Sequence, residues 1–392
     1  MKNADKEKTM EIIDTKIKRI AILPVYDSEG VVHKYLEYYI KSLCEVISDL
    51  IIVVIGYMNN DGLRKLGKYS DKIYVKENKG YDAAAYKFVF ENYLDIEQLN
   101  QYDELILTND TSFGPFISFG DIFDEMGKRD ANFWGLKYID TNYISYLQSS
   151  FIVYKQVTFT EVYQYFKNKV YYDDDLLNVC IRFEQGLFKY LVKRGFEFAC
   201  YGVCKGYNSY KAPDYCMLEE QHPIMKKRCF EKIQYSHENC IGALLYIRNN
   251  TSYNIDMILD YVKQKYHLEY DIDVEFEKYK ESPRYFIDKS VCGQKDIQFF
   301  CENSKEIYIY GTGIIATVIY RNYQEYLNHM RGFIVSDNQM TCGEHLGARV
   351  FKISEIENKE AGIIVGVSRA TTKEIRANLG EFKNVLYLWG SK

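Results

Sequence analysis

Residues 102–135 read YDELILTNDTSFGPFISFGDIFDEMGKRDANFWG, and the first half of this stretch decides the fold. The apolar run LIL predicts a buried parallel strand, because such strands are covered on both faces. Asn109 and Asp110 follow at once, where the open sheets of α/β proteins gather their ligands. Asp110 could present a carboxylate to a metal-bound phosphate. The alternative is that Asn109 and Asp110 cap the helix that runs to Met126.

The chain before this stretch alternates strands and helices. The segments KRIAILPV, LIIVVIGY and KIYVK have strand patterns separated by helical ones, which predicts a parallel sheet with right-handed crossovers. A glycine-containing loop that feeds a helix can hold a nucleotide through its amides, although a plain β–α connection is the alternative. The loops after the first and third strands contain the candidate nucleotide-binding residues Tyr26, Asp27, Asn78, Gly80, Tyr81 and Asp82.

The chain after it continues the α/β pattern. Residues 147–153, LQSSFIV, predict a further strand that carries Gln148 and Ser149. Three aspartates at 173–175 precede a helix that runs to about Arg194, where first-turn acids are stabilised by exposed amides and need no metal. Residues 205–240 are basic and irregular.

The bulk composition narrows the class of protein. A chain of 392 residues with 47% hydrophobic and 27% charged residues should hold two domains and a large core. No apolar run is long enough to span a membrane, and the charged N-terminus lacks a signal core. Ten Cys without CxxC pairs indicate reduced thiols in a cytosol, and the net charge of −5 argues against nucleic acid as a partner.

A second α/β unit is predicted at residues 304–392, after a mostly helical connector at 246–303. Its turn with Gly311 and Gly313 is similar to the start of a dinucleotide fingerprint, and Asp337 ends the next strand. A unit of this length has room for only half of the classical fold. A degenerate or regulatory Rossmann-like unit is therefore expected, with these three residues as its candidate cofactor contacts.

Six segments in order carry a resemblance to a known family: PVYDSEG, NKGYDAAAYK, NDTSFGP, FWGLK, LQSSFIV and FEQGLFKYLVKRGF. Together they resemble the rhamnan synthesis protein F family over residues 18–260. The resemblance implies a GT-A-like glycosyltransferase domain at 18–245, with a nucleotide-sugar-binding sheet and flanking helices. It further implies a cytoplasmic, inverting rhamnosyltransferase that uses dTDP-rhamnose to build bacterial surface polysaccharide. The acceptor would be a glycan or lipid-linked glycan, which could bring the protein to the inner face of the membrane.

The resemblance also implies roles for individual residues. Glu184, followed by Leu187 and Gly195 at the spacing of the wider GT-A family, would be the general base; a solvated helical Glu is the alternative. The Asp-x-Asp motif of GT-A folds is shortened to Asp110, so Mg²⁺ or Mn²⁺ could be bound but the metal requirement stays open. Further candidates for the donor are Asn109, Thr111 (where the family usually has Ser) and Lys226, and for the acceptor Trp134, Gln148 and Ser149.

Two other interpretations remain open on the sequence. A non-catalytic nucleotide-sugar-binding or scaffolding protein is compatible with the shortened motif. A dinucleotide-dependent enzyme would place the chemistry in the C-terminal unit, although the chemical motifs lie upstream of it. Neutralisation of the leaving diphosphate could come from a metal on Asp110, or from basic residues such as Lys226 and Arg228.

Overall fold

A computed structural model describes residues 17–141, 143–205, 222–231, 237–275, 294–339, 343–367 and 369–388. Within these residues the chain forms an eight-stranded sheet, a six-stranded sheet and one short strand pair. The strands up to residue 226 are β1 (Arg19–Val25), β2 (Asp49–Ile55), β3 (Lys72–Lys76), β4 (Glu104–Thr108), β5 (Ser112–Phe113), β6 (Phe133–Asp140), β7 (Ser145–Leu147), β8 (Phe151–Lys155), β9 (Phe198–Lys205) and β10 (Met225–Lys226).

The eight-stranded sheet is parallel on one side and mixed on the other. Its order is β3-β2-β1-β4-β8-β6-β7, with β9 also paired to β6. β1 to β4 are mutually parallel where they pair, whereas β8 runs antiparallel to both β4 and β6. The parallel sheet predicted from the first strands is correct for β1 to β4. Beyond β4 the sheet is mixed, since β8 is antiparallel to its neighbours and β9 pairs parallel with β6. The predicted class, a GT-A-like α/β sheet with flanking helices, is confirmed.

Alternate residues of the central strands enter two different cores. Ala21, Leu23 and Val25 of β1 lie in one core, and Ile20 and Ile22 lie in the other. This is the two-residue period of a strand, here with apolar residues in both phases. The sheet is therefore buried on both faces, as the continuous apolar runs predict.

Helices cover both faces of this sheet. They are α1 (Lys34–Cys44), α2 (Asn60–Leu66), α3 (Tyr81–Asn92), α4 (Ile96–Leu99), α5 (Phe119–Met126), α6 (Phe159–Lys169), α7 (Leu176–Cys180), α8 (Gly186–Lys193), α9 (His237–Asn250) and α10 (Asp256–Tyr266). A π-helical turn, Ile181–Gln185, joins α7 to α8.

The helices α9 and α10 belong to the first core, although much of this stretch was predicted as a connector. Leu244 and Ile258 are fully buried in the same cluster as residues of β1 and α1. Tyr261 packs edge-on against Tyr35 of α1, with ring centroids 4.9 Å apart. The helical character predicted for residues 246–266 is present in α9 and α10, and the division of the chain into domains stays a prediction.

The six-stranded sheet lies in the C-terminal part and has a Rossmann-like order. Its elements, with the helix α11 before it, are α11 (Gln294–Asn303), β11 (Ile307–Tyr310), α12 (Ile314–Asn322), β12 (Met330–Val335), β13 (Glu344–His345), β14 (Ala348–Lys352), β15 (Gly362–Val365), α13 (Arg369–Ile375) and β16 (Asn384–Tyr387). The strand order is β13-β14-β12-β11-β15-β16, and the pairs from β14 to β16 are parallel. Five parallel strands exceed the half-fold expected from the length, because the strands are only four to six residues long.

The two sheets are joined through α12 and the turn between α7 and α8. Asn322 donates from Nδ2 to Oε1 of Gln185 over 2.9 Å, and its Oδ1 accepts from Nζ of Lys189 over 2.8 Å. The guanidinium of Arg321 donates to Asn178. The second unit thus contacts the helical segment that carries Glu184.

No helix within the described residues has both the length and the apolar character that crossing a membrane requires.

Candidate active site

The Asn109-Asp110-Thr111 cluster lies at the carboxyl edge of the first sheet, directly between β4 and β5. The next helix, α5, has its own cap: the Ser118 side chain accepts from the amide of Asp121 over 3.0 Å. The alternative that Asn109 and Asp110 cap this helix is therefore wrong. β5 separates the cluster from α5, and the cluster makes different contacts.

Asn109 is the centre of a hydrogen-bond network that unites several predicted site residues. Its Nδ2 donates to Oδ2 of Asp82 over 2.8 Å and lies 3.4 Å from the carbonyl oxygen of Ser149. Its Oδ1 accepts from the amide and hydroxyl of Thr111. Ser149 in turn donates to Oε1 of Glu184 from its amide, over 3.1 Å, and from its hydroxyl. Four segments distant in sequence therefore meet at one point.

Lys226 brings a positive charge to this network. β10 pairs antiparallel with β5, which places Lys226 opposite Ser112. Its Nζ donates to Oγ1 of Thr111 over 2.6 Å. Burial lowers the pKa of Lys226 to about 8, although the negative charges of Glu184 and Asp82 act in the opposite direction. The side chain therefore remains an ammonium group at neutral pH.

Asp82 and Glu184 bring two carboxyl groups into the same network. Burial and then the charge of Glu184 raise the pKa of Asp82 to about 6, against the hydrogen bond from Asn109 and the charge of Lys226. Burial, followed by both carboxylates, also raises the pKa of the Cys180 thiol, which hydrogen-bonds to Glu184. Cys180 stays protonated and is not a nucleophile, because only a thiolate attacks.

Asp110 faces an internal ammonium group. Its Oδ2 accepts from the amide of Tyr26 over 3.3 Å and lies 3.4 Å from Nζ of Lys227. The side chains of Asp110 and Lys227 are only 10% and 13% exposed. Lys227 also donates to the hydroxyl of Tyr35 over 2.8 Å and lies over the rings of Tyr35 and Tyr261. The predicted metal ligand thus has a cationic partner within the protein.

Asp27 links the loop after β1 to the helix α10. Its Oδ1 accepts from two backbone amides of the next turn, and its Oδ2 lies 2.8 Å from Nζ of Lys265 in α10. Burial opposes its charge, but hydrogen bonds from His33, Lys265 and the amides hold the pKa of Asp27 below its usual range. Both oxygens of Asp27 therefore have internal partners, and its donor role stays a prediction. Tyr26 stays a candidate through its ring, which is 46% exposed.

The loop before α3 packs against the protein's own chain. Gly80 has φ of +79°, and a Cβ there would lie 3.1 Å from the Cα of Tyr172. Its amide donates to Oδ1 of Asp174 over 3.2 Å, and the Tyr81 hydroxyl donates to the Asp174 carbonyl over 3.2 Å. Asn78 is exposed. The absence of a side chain at Gly80 is required by the protein's own Ala84 and by residues 172–173, and a donor role for Gly80 stays a prediction.

The three predicted acceptor residues have different surroundings. Trp134 is 2% exposed and packs in the core with Phe123 and Phe151, so it cannot contact an acceptor. Gln148 and Ser149 lie in a turn between β7 and β8, not within a strand as predicted. Gln148 is 6% exposed, whereas Ser149 contacts the network described above.

The predicted cofactor residues lie in the second sheet, away from the network. Gly311 has φ of +103°, and a Cβ there would lie 2.7 Å from Cγ1 of Val367. Gly313 precedes the first residue of α12 and has no atom within 4 Å of the position of a Cβ. Asp337 accepts at Oδ1 from the hydroxyl and amide of Ser354, over 2.8 and 3.1 Å, which lowers its pKa. A dinucleotide role for these three residues stays a prediction.

The sequence matches the model of one known protein family. A family model described as Rhamnan synthesis protein F matches residues 50–312, which is more than half of the 392 residues. The chain belongs to this family. The matched range includes the network around Asn109, Glu184 and Lys226. Family membership and the GT-A-like sheet support glycosyl transfer from a nucleotide-sugar donor. No curated protein matches the sequence at a significant level.

Several solved structures are distantly similar to this rhamnan synthesis protein F family member. HddC from Yersinia pseudotuberculosis is 11% identical over 48% of this chain and 91% of its own, with a TM-score of 0.29. A putative nucleotide-diphospho-sugar transferase from Desulfovibrio desulfuricans G20 is 10% identical over 64% and 98%, with a TM-score of 0.33. The Mn/GDP form of core-mannan synthase A from Aspergillus fumigatus is 8% identical over 50% and 74%, with a TM-score of 0.24.

The described residues of this family member do not fit a divalent metal ion. Mg²⁺ requires oxygen ligands in octahedral geometry, with carboxylates among them. Asp110 is the single acid of the motif, and its Oδ2 already contacts the Tyr26 amide and Lys227. Across the described ranges, no group of three His, Cys, Asp or Glu side chains could hold a metal. No catalytic step is therefore assigned to a metal.

Three residues that contact predicted site residues were not selected as site residues from the sequence. Lys227, Cys180 and Lys265 all contact predicted site residues. His222 is 2% exposed, and neither ring nitrogen has a partner within the described part of the chain. Lys227 could have been selected because it is adjacent to Lys226, which was a predicted site residue. The others had no such signal, because their partners are distant in sequence.

Proposed function

We propose that this protein is an inverting rhamnosyltransferase of bacterial cell-surface polysaccharide synthesis, with dTDP-rhamnose as the donor. The observation that carries the proposal is the network that joins Asp82, Asn109, Ser149 and Glu184 to Lys226 at the carboxyl edge of the sheet. Glycosyl transfer needs a base for the acceptor and a cation for the leaving diphosphate, and the network contains both. The rhamnose itself rests on the family description.

Glu184 is the general base in this proposal. Ser149 holds Oε1 through two hydrogen bonds, which fixes the carboxylate within the site. The carboxylate takes the proton of an acceptor hydroxyl as its oxygen forms a bond to the anomeric carbon. The bond from that carbon to the diphosphate breaks, and its electron pair leaves with the diphosphate. One displacement inverts the anomeric configuration without a covalent enzyme intermediate.

Asp82 and Lys226 set the electrostatics around the base. Asp82 ionises near pH 6, so at neutral pH it is a carboxylate that accepts from Asn109. Lys226 offsets the charges of Asp82 and Glu184 and still has donors beyond its bond to Thr111, because an ammonium group has three. A diphosphate that meets Lys226 would be neutralised as it leaves.

The acceptor in this proposal is a glycan or a lipid-linked glycan, reached from the cytoplasmic side of the membrane. Tyr26, which is 46% exposed, is a predicted loop residue placed to contact ligands, whereas Ser149 is 5% exposed and acts through its hydrogen bonds to Glu184. A peripheral association with the membrane would follow from a lipid-linked acceptor and needs no spanning helix.

A thermal-shift panel tests the proposal. The full chain is heated with nucleotide sugars, free nucleotides and NAD(P), each with and without Mg²⁺ or Mn²⁺. We expect dTDP-rhamnose and dTDP to raise the melting temperature, since a ligand that binds only the folded state stabilises it. A rise with NAD(P) and none with nucleotide sugars would move the function to the C-terminal unit.

A further inference from the structure

Two adjacent lysines contact the two polar residues that follow Asn109. Lys226 donates from Nζ to Oγ1 of Thr111 over 2.6 Å, and Nζ of Lys227 lies 3.4 Å from Oδ2 of Asp110. The pairing of β10 with β5 sets this arrangement, because it places Lys226 opposite Ser112. The Asp110-Thr111 pair therefore has an ammonium group at each of its two residues.

Lys227 is held beside the carboxylate of Asp110. It donates to the Tyr35 hydroxyl over 2.8 Å, and its ammonium lies 5.2 and 5.3 Å from the ring centroids of Tyr35 and Tyr261. Aromatic faces attract a cation at this distance. Burial disfavours its charge, but Asp110, together with Tyr261 and Tyr266, outweighs burial and raises the pKa of Lys227. A cation is thus already fixed beside the single acid of the motif.

A metal ion at the same carboxylate would be repelled by this fixed charge. Asp110 has one negative charge, which Lys227 already balances, and its Oδ2 also accepts from the Tyr26 amide. Mg²⁺ or Mn²⁺ would add two positive charges next to an ammonium group that is mostly shielded from water. Like charges interact strongly at such distances away from bulk solvent.

We infer that Lys226 and Lys227 neutralise the donor diphosphate and that the protein binds its donor without a divalent cation. The inference rests on the proposed function, since it concerns how the diphosphate of a nucleotide sugar is held. Each ammonium group has three donors, and the contacts above leave at least one on each for a phosphate oxygen. When the anomeric bond breaks, the electron pair goes to the diphosphate oxygen, and these donors stabilise the new charge.

Calorimetric titration of the full chain with dTDP, UDP and GDP tests this inference without an acceptor. Each titration is run after dialysis against EDTA and again in Mg²⁺. We expect the tightest-binding nucleotide to have the same Kd in both buffers within about 3-fold. Lys227→Met and Lys226→Met should each weaken binding in EDTA by about 10-fold or more, the usual effect of losing a hydrogen bond to a charged group.

Two further variants complete the design. Lys227→Arg keeps the charge and should bind more tightly than Lys227→Met; it also serves if the methionine variant does not fold. Lys41→Met removes a lysine from an exposed position of α1 and should leave Kd unchanged.

The outcomes separate the inference from the function on which it rests. Nucleotide binding that needs Mg²⁺ in the wild-type protein would overturn the inference and leave the proposed function standing. Unchanged Kd in both methionine variants would also overturn it. Absence of binding by every nucleotide in both buffers would overturn the proposed function and the inference together.

Discussion

Among the single residues of the site, Ser149 orients the carboxylate of Glu184 that would act as the base. Two hydrogen bonds from Ser149 reach one oxygen of Glu184, and the thiol of Cys180 also contacts this carboxyl group. A base held in this way has a defined direction toward its substrate before the acceptor arrives. Removal of the Glu184 carboxylate should therefore slow the chemical step more than removal of Ser149, which only orients it.

Glu184→Gln should lower kcat by about 10²- to 10⁴-fold and leave donor binding intact, because it removes only the proton acceptor. The amide oxygen of Gln can still accept from Ser149, so the local structure should survive. The measurement compares kcat with the donor Kd in the wild type and the variant. Ser149→Ala is the matched control and should reduce kcat less. Unchanged kcat in Glu184→Gln would transfer the base role to Asp82.

Asp82 predicts a pH dependence of stability. The folded protein raises the pKa of Asp82 from 3.8 to about 6, so the folded state binds this proton more tightly than the unfolded chain. Its contribution to the free energy of unfolding is greatest at low pH and falls as pH rises through this window. Asp82→Asn lacks the titration. Urea unfolding is measured at about pH 4.5 and about pH 7.5. The free energy of unfolding of Asp82→Asn, relative to that of the wild type, should be higher at the higher pH.

Two results would bear on the cause of this shift. In Glu184→Gln the shift should shrink, because the second-largest cause is the charge of Glu184. A difference between wild type and Asp82→Asn that does not change with pH would mean that Asp82 titrates normally.

The loop before α3 is an element whose glycine serves the fold. Gly80→Ala should destabilise the protein by about 1–3 kcal/mol through positive φ and through contact with neighbouring atoms. The donor Kd of the folded fraction should not change. Gly195→Ala is the matched control: Gly195 has φ of +84° but no atom within 4 Å of the position of a Cβ. Gly80→Ala should lose more stability than Gly195→Ala in urea unfolding; equal losses would show that crowding of the new Cβ by Ala84 and Tyr172 contributes nothing.

The strands β1, β2 and β4 were predictable because each is an apolar run buried on both faces, whereas β3 is a partly exposed edge strand. Such a run does not depend on which strand lies beside it, and the five residues of β4 are all buried. Residues 147–153, LQSSFIV, were wrongly predicted as one strand because their structure depends on distant residues. The turn at Gln148 and Ser149 depends on hydrogen bonds to Lys137 and Glu184, which no local pattern contains.

The site was predictable in its residue types and only partly in its geometry. Asn109 lies in the loop after β4, and Asp82 lies in the first turn of the helix that follows β3, both of which the β–α pattern anticipates. Glu184 lies in the π-helical turn Ile181–Gln185 and is brought to them by Ser149. Lys227 was missed because it is placed next to Asp110 by the two-residue strand β10, which is too short to have a period. Trp134 was misassigned because its neighbours Phe123 and Phe151 come from other elements.

At the scale of the whole molecule, the C-terminal unit contacts the segment that carries the base. Asn322 bonds to Gln185, the residue after Glu184, and to Lys189, whose pKa burial lowers to about 8. The sequence alone predicts that this unit is dispensable for the chemical step. The contacts argue against that prediction, because they hold the π-helical turn Ile181–Gln185 from outside the first sheet.

Asn322→Ala should reduce kcat several-fold with little change in donor Kd, since it releases the turn without touching the donor site. Lys193→Ala is the control, because its ion pair with Glu325 crosses the same boundary but is exposed, and exposed pairs contribute little. Steady-state kinetics of both variants would check this. Equal kcat in Asn322→Ala and wild type would show that the unit acts separately from the active site.

Release of nucleoside diphosphate from a panel of nucleotide sugars tests the central claim most directly. Wild type and Glu184→Gln are incubated side by side with each donor and a glycan acceptor extract. We predict release from dTDP-rhamnose by the wild type, with the rate in Glu184→Gln lower by about 10²-fold or more. No release from any nucleotide sugar, or equal rates in the two proteins, would contradict the assignment of this site as a glycosyltransferase centre.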